Sequence, residues 1–300
     1  MTRVSYGWKV ALALLTVYIV WGTTHFATLT AVQTLPPILM TGARFVTAGL
    51  LMLAVAPWED LSRCTFRQIA NCVLAGVLMS FASMTLAVLA IANGVATGLM
   101  ACIVATMPMW LTLFAKIGGE RVPMRGWMGV LLGVLGASLL LLDGNLTSTP
   151  LGTSLALLSP VCWAAGSYCV RRLSMPPMAT ASGLQWLSGG MAGLLAGLVL
   201  EADKVSGLWG AASLASLAAW TYLLLFGTLL TYTAYLWLVR NVSAPLAGSG
   251  SFVNPVIAVA IGGYLAGEQL DVLSFVAVPI ILCALVLIVG LPRTVTRSGA

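Results

Sequence analysis

Two side chains that can carry charge near neutral pH fall deeper inside long apolar runs than any other charged residue: the single histidine His25 and Arg44. His25 could carry a proton or sense pH, or it could be an interfacial hydrogen-bonded histidine. Arg44 could meet the carboxylate of a bound solute, pin its helix to backbone carbonyl groups, or extend its side chain outward. The sequence leaves these alternatives open.

All eight acidic residues fall in predicted loops or at predicted helix ends. Proton relays in pumps are commonly built from carboxylates inside the membrane, so that device is missing here. Glu120 and Glu268 precede predicted helices and are expected to act at helix ends. The six cysteines show neither a CxxC pair nor a disulfide pattern, so no metal or redox cofactor is predicted.

Enzyme signatures are absent, and no catalytic residue is predicted. The sequence has no GxxxxGK[ST], HExxH or GxSxG motif. A dyad of Ser249 or Ser251 with His25 is a distant alternative, which would make the chain a membrane-embedded enzyme.

A larger set of aromatic and polar residues is expected to face the interior and contact a solute. Pockets for organic molecules are mostly apolar and aromatic, with a few placed polar groups. The pattern therefore favours an amphipathic organic solute over an ion. With His25 and Arg44, the candidates are Trp21, Thr23, Ser80, Trp110, Trp163, Gln185, Trp186, Tyr232, Tyr235, Ser249, Ser251 and Asn254.

Composition shows what must position these side chains. Hydrophobic residues make up 60% of the chain, charged residues 7%, and the mean hydropathy is +1.03. A soluble protein has about 25% charged residues, so an all-α integral membrane protein is predicted. Apolar runs long enough to span a bilayer lie at about 8–28, 36–56, 68–91, 95–115, 124–142, 151–171, 178–199, 214–238, 244–265 and 272–291.

A net charge of +6 can indicate a nucleic acid partner. Here the positions of the basic residues instead indicate how the chain is oriented in the membrane. With ten spans, twelve of the fourteen Lys and Arg residues fall on the side of the amino terminus. Lys204 falls opposite, and Arg44 lies within a span. Cytoplasmic loops carry the excess of basic residues, so both termini are predicted to be cytoplasmic. Residues 1–20 are interpreted as an uncleaved first helix.

The sequence contains an internal repeat. Asn93 to Glu120 is echoed by Asn241 to Glu268, and both pairs of ends are 148 residues apart. The halves 1–146 and 147–300 would each hold five helices, an odd number, so the second is inverted relative to the first. Inverted repeats are typical of secondary transporters, which bind substrate near the midplane between the halves.

Each copy of the segment carries one proline, Pro108 or Pro255. Within a helix, a proline frees the carbonyl four residues earlier, here at Val104 and Ser251. Such carbonyls are tolerated in a membrane only against protein or a water-filled cavity. The prolines are therefore candidate hinges beside the substrate path, and a simple packing kink is the alternative.

Trp-Gly-Thr-Thr (21–24) at the end of helix 1 and Asn-Pro-Val (254–256) in helix 9, with the repeat, resemble the EamA-type drug/metabolite transporters. The resemblance implies a bacterial inner-membrane carrier, usually an exporter of amino acids or related metabolites. The Trp-rich interior is similar to that of the aromatic amino-acid exporter branch. The second half departs from the first, with Trp-Ala-Ala-Gly (163–166) in place of Trp-Gly-Thr-Thr.

We therefore expect a multi-pass transporter that works by alternating access, with a small-molecule solute and the lipid bilayer as its partners. The cavity would be formed by helices 1, 3, 4, 6, 8 and 9, and the resemblance implies that helices 5 and 10 are peripheral. Lacking carboxylates within the membrane, the chain is expected to perform facilitated export or exchange. A passive channel and a sugar- or nucleotide-type carrier of the same superfamily are alternatives. The sequence makes no prediction of oligomeric state.

Overall fold

A computed structural model of the chain describes residues 3–95, 103–104, 106–139, 149–205 and 212–250, with positions 100, 253, 254, 257, 276, 279, 280, 283, 284 and 287. Within these residues every regular element is a helix. Ser251, Pro255 and Glu268 lie outside the described residues. His25 lies within the first helix, and its side chain is not described.

The helices are α1 (Arg3–Ala31), α2 (Pro37–Val55), α3 (Trp58–Ser62), α4 (Phe66–Ala92), α5 (Met107–Ile117), α6 (Met124–Leu139), α7 (Pro150–Arg172), α8 (Met178–Leu200), α9 (Ala202–Val205), α10 (Leu214–Asn241) and α11 (Ala244–Gly248). Six of those described, α1, α2, α4, α7, α8 and α10, are long and apolar enough to cross a membrane. Their ends match the predicted runs to within three residues, with α1 counted from Gly7.

Several helices begin at residues that satisfy their free amide groups. Before α4, the Thr65 hydroxyl accepts from the Gln68 amide, and the Gln68 side chain accepts from the Thr65 amide, at 3.3 and 3.0 Å. Before α7, the Thr149 hydroxyl accepts from the Gly152 amide at 3.0 Å. Such caps satisfy donors that the first helical turn leaves unpaired.

The start of α2 obtains its cap from a distant part of the chain. Pro36 precedes the helix and has no side-chain acceptor. Instead, one carboxylate oxygen of Glu201, which follows α8, accepts from the amides of Ile38 and Leu39 at 3.0 and 2.9 Å. A negative charge is also favourable at the positive end of the helix dipole. Glu201 thus joins α8 to α2 at what we name the Glu201 end of the bundle.

Two long helices contain a π-helical segment, Val77–Ser83 in α4 and Leu223–Leu230 in α10. The segments begin 146 residues apart, close to the spacing of the sequence repeat. A π-helical turn shifts the backbone bonding pattern and often occurs at functional sites. Here the Gly227 carbonyl accepts from the Trp21 indole of α1 at 3.2 Å. The irregular segment therefore provides a contact between helices.

Glycines allow α8 to pack backbone to backbone against its neighbours. A Cβ added at Gly42 or Gly49 of α2 would lie 2.5 Å from the amide nitrogen of Leu194 or Leu187 of α8, respectively. Gly190 of α8 lies equally tightly against the backbone of α2. Small residues permit this approach where helices pack within a membrane. We call this α2–α8 contact the glycine seam.

We predict that Gly190→Ala destabilises the protein because the added methyl group has no space in the glycine seam. Overpacking of this kind costs about 1–3 kcal/mol. Val199→Ile adds one carbon to the same helix at a position that is 77% exposed, and should change stability by less than about 0.5 kcal/mol. Thermal unfolding in detergent measures both. Equal stability of the two variants would contradict the tight seam.

Candidate functional site

A cavity of ≈130 Å³ lies between the two halves of the chain. Its described walls come from α1, α2, α4, α5, α7 and α10, together with Asn254. The sequence did not predict the second helix as part of the cavity wall, but α2 contributes Arg44 and Phe45 to it. Five of the candidate residues line the cavity, namely Trp21, Arg44, Trp163, Tyr232 and Asn254.

Aromatic rings from four helices form a cluster against this cavity. The Trp21 and Trp163 rings meet edge to face at 5.4 Å between centroids. Tyr232 lies 5.0 Å from Trp163, and Tyr235 lies 5.1 Å from Trp21. Trp186 of α8 supports Tyr232 from behind at 5.5 Å. Aromatic pairs at such separations are stabilising beyond the area that they bury, so the rings form a preformed wall.

Hydroxyl groups hold the tyrosines in this wall. The hydroxyls of Tyr235 and Ser167 are 2.8 Å apart, and the Ser167 hydroxyl also donates to the Trp163 carbonyl at 2.8 Å. The Tyr232 hydroxyl lies 3.4 Å from the Ser80 hydroxyl in the π-helical segment of α4. Ser80 and Tyr235 thus contribute by positioning rings, and neither lines the cavity.

Arg44 is the one charged residue among those described that line the cavity. It is only 7% exposed. One terminal nitrogen lies 3.7 Å from the Met84 sulfur, and the guanidinium lies over the Phe45 ring at 4.7 Å. Its Nε atom has no hydrogen-bond partner among the described residues. A thioether and a ring face are weak partners for a buried cation.

Several polar residues of the cavity were not predicted from the sequence. Thr24 and Thr28 follow Trp21 at spacings of three and seven, so they share its face of α1. That spacing could have identified them. Thr228 lines the cavity from the π-helical segment of α10, and its hydroxyl donates to the Leu223 carbonyl at 3.0 Å. An α-helical projection does not give its orientation.

Other candidates lie away from the cavity. Thr23 is one residue from the cavity-lining Thr24, and a step of one residue rotates a helical side chain by about 100°. The Thr23 hydroxyl therefore faces a different neighbour and lies 2.5 Å from the Tyr222 hydroxyl. The Ser249 hydroxyl is 2.8 Å from the Tyr18 hydroxyl. Gln185 is fully buried in α8, and Trp110 is half-buried against the aromatic core. None of these four is among the lining residues described.

Pro108 lies in the first turn of α5, which begins at Met107, whereas the sequence predicted one helix over 95–115. Met100, Ile103 and Val104 are helical as well, and Val104 lines the cavity. The hinge role of Pro108 stays a prediction. A proline in the first turn removes no bond within the helix. Pro108 instead packs against Gly248, at which a Cβ would lie 2.9 Å from the proline side chain.

A second polar cluster lies at the opposite end of the bundle from Glu201. Glu120 accepts two hydrogen bonds from the Arg171 guanidinium, at 2.9 and 3.0 Å. Arg171 also donates to the carbonyls of Val239 and Val242 at the end of α10, at 3.0 and 2.5 Å. Arg172 donates to the Gly118 carbonyl. Glu120 therefore joins the two halves of the chain, beyond its expected role at a helix end. We call this group the Glu120 cluster.

We predict that Trp163→Ala lowers the free energy of unfolding by about 3–5 kcal/mol, because it removes a buried ring from the aromatic wall. Trp58→Ala is the matched control, since Trp58 is 76% exposed and Trp163 only 6%. The control should lie within about 0.5 kcal/mol of the unmodified protein. Thermal unfolding in detergent distinguishes the two. A Trp163→Ala protein as stable as the control would show that the wall is not preformed.

Comparisons with known proteins agree with this architecture. The inner membrane transporter YedA of Escherichia coli K12, named as uncharacterized, is 34% identical over 276 residues, which cover 92% of this chain and 89% of YedA. Protein PagO of Salmonella typhimurium is 24% identical over 276 residues, covering 90% of this chain and 89% of PagO. A solved crystal structure has the same fold, with a TM-score of 0.73 at 19% identity, over 93% of this chain and 96% of that chain.

The model of one family matches the chain twice. The matches cover residues 8–142 and 150–290, and together they include most of the sequence. The chain belongs to the EamA-like transporter family.

Proposed function

We propose that this protein is a secondary transporter of the bacterial inner membrane. It exports small amphipathic organic solutes, amino acids or related metabolites, by alternating access. The observation that carries this proposal is the cavity between the halves, which has an aromatic wall and one buried cation. Membership of a transporter family and the similarity to YedA, named as an inner membrane transporter, support it.

The proposal includes ten transmembrane helices in two inverted repeats, with both termini in the cytoplasm. The two family matches, 8–142 and 150–290, fall within the predicted halves 1–146 and 147–300. The paired π-helical segments of α4 and α10 support a structural repeat. In this topology the Glu120 cluster lies on the cytoplasmic side, and the Glu201 end faces outward.

The size and lining of the cavity support an organic solute. A cavity of ≈130 Å³ is close to the volume of about 150 Å³ in which an engineered protein cavity holds benzene. Its rings offer apolar contact, and its hydroxyl groups offer few hydrogen bonds. We therefore propose that the transporter binds solutes with one ring, or an aliphatic group of similar size, and that it uses no cofactor.

Alternating access requires contacts that can open at one end while the other end stays closed. The Glu120 cluster suits this role because Arg171 of the second half holds Glu120 of the first. Glu201 also joins the two halves, but it binds α2 where the glycine seam packs the helices backbone to backbone. We propose that the Glu120 cluster is the cytoplasmic latch, and that the seam stays packed while the latch opens.

We predict that Glu120→Gln increases opening at the latch, because Arg171, with 4% of its side chain exposed, loses its counter-charge. Removing one partner of a buried ion pair costs about 3–5 kcal/mol, and about 1.4 kcal/mol already gives a tenfold change. Cysteines introduced by Ala115→Cys, near the latch, and Ala31→Cys, near the Glu201 end, report access in a cysteine-free background. Both alanines are fully buried.

Maleimide labelling should become at least about tenfold faster for Ala115→Cys and should not rise for Ala31→Cys. Glu59→Gln is the matched control, because the side chain of Glu59 is 79% exposed in its pair with Arg63. It should leave both labelling rates unchanged. Faster labelling at both ends would mean general unfolding, and no change at either end would rule out the latch.

We also predict transport that does not depend on a proton gradient. Proteoliposomes loaded with Phe, Trp, Thr or Met should show saturable counterflow, at a rate that changes little when a pH gradient is imposed. The physical reason is that the sequence places no carboxylate in the middle of a span. Strong acceleration by the gradient, abolished by His25→Ala, would instead establish proton coupling through His25. A lack of counterflow for every solute would favour a passive channel.

A further inference from the structure

We infer that Arg44 binds the carboxylate of the transported solute, so that the substrates are carboxylic acids with an apolar group about one ring in size. The solute's ammonium group is then dispensable. This inference rests on the proposed function and narrows its substrate class. It is carried by the contacts of Arg44 and by the other residues of the same cavity.

A comparison of two buried arginines shows what Arg44 lacks. Arg171 is held by both carboxylate oxygens of Glu120 and by two backbone carbonyls. Arg44 is similarly buried, yet in the described part of the chain it has neither a carboxylate nor a carbonyl partner. A buried charge without a partner is strongly unfavourable. Arg44 is therefore suited to an anion that arrives from outside the chain.

The other roles considered for Arg44 do not fit its surroundings. A guanidinium that pins α2 to a neighbour would donate to backbone carbonyls, and the described residues provide none. A side chain that extends outward would be exposed, whereas Arg44 is 7% exposed and lines the cavity. A planar guanidinium with free donors matches a carboxylate well.

The rest of the cavity determines what can be attached to that carboxylate. No Asp or Glu is among the described lining residues, so an ammonium group would find no counter-charge there. Asn254, whose side-chain oxygen has no partner among those residues, can accept a hydrogen bond from a neutral or a charged donor. Trp21, Trp163 and Tyr232 provide apolar contact for a ring. The cavity thus requires an anionic group and tolerates an amino group.

Four probes that share one phenyl ring test this inference. They are 3-phenylpropionate, phenylalanine, 3-phenylpropionamide and phenethylamine, and binding is followed by tryptophan fluorescence of the detergent-solubilised protein. The two carboxylates should bind at least about tenfold more tightly than the amide and the amine, as expected for a charge-assisted hydrogen bond. The two carboxylates should differ from each other by less than about threefold.

Variants locate the effect at Arg44. Arg44→Gln should weaken binding of 3-phenylpropionate to the level of the amide and leave the amide unchanged, and Arg44→Lys should retain part of the preference. Arg63→Gln is the control, because 80% of the Arg63 side chain is exposed. It should bind all four probes normally. If Arg44→Gln does not fold, the comparison of the four probes on the unmodified protein still tests whether binding requires a carboxylate.

Several outcomes would overturn the inference. Equal binding of the amide or the amine would show that no anion is required, and failure of all four probes would exclude a ring-sized carboxylic acid. Acetate or chloride that binds as tightly as 3-phenylpropionate would reveal a site for small inorganic or organic anions only. Counterflow of cationic solutes would overturn the carboxylate class and leave the proposed function intact. Carboxylate binding without counterflow would overturn the proposed transport function and leave the carboxylate class intact.

Discussion

A bundle within a membrane has no water to bond the backbone groups that its helices leave unpaired. In this protein, side chains from other helices fill that need. Glu201 accepts from the first amides of α2, Arg171 donates to the last carbonyls of α10, and Trp21 donates to the Gly227 carbonyl. Each of these bonds joins two helices. The same bonds that satisfy the backbone therefore also fix how the helices lie against one another.

This requirement determines which polar groups remain for a solute. Ser167 bonds within the aromatic wall, and Ser83 and Ser159 lie 3.2 Å apart and bond to each other. Arg44, Asn254 and Trp163 differ, since each lines the cavity with a polar atom that has no partner among the described residues. Most of the other polar groups described in its lining are already bonded within the protein, which leaves few groups to contact a solute.

The sequence predicts the long helices well and the site only in part. Apolar runs separated by charged loops fix helix positions along the chain, so the ends of α2 and α8 are nearly right. The direction in which a side chain points depends on helix rotation and packing. For this reason Thr24, and not the predicted Thr23, lines the cavity. The contact of Glu201 with Ile38 joins positions 163 residues apart, and no local pattern reveals it.

The π-helical segments place irregular backbone beside the cavity. Both border the cavity, the first through Ser83 and the second through Gly227 and Thr228. A regular α-helix keeps its interior carbonyls bonded four residues on, whereas the segment in α10 offers one to Trp21. A transporter needs elements with two stable arrangements, because packed helices do not deform gradually. Under the proposed inverted repeat, the equivalent segment in α4 gives the other half the same irregular backbone. Each half then carries its own irregular segment beside the cavity, and under the proposed alternating access the glycine seam between α2 and α8 stays packed.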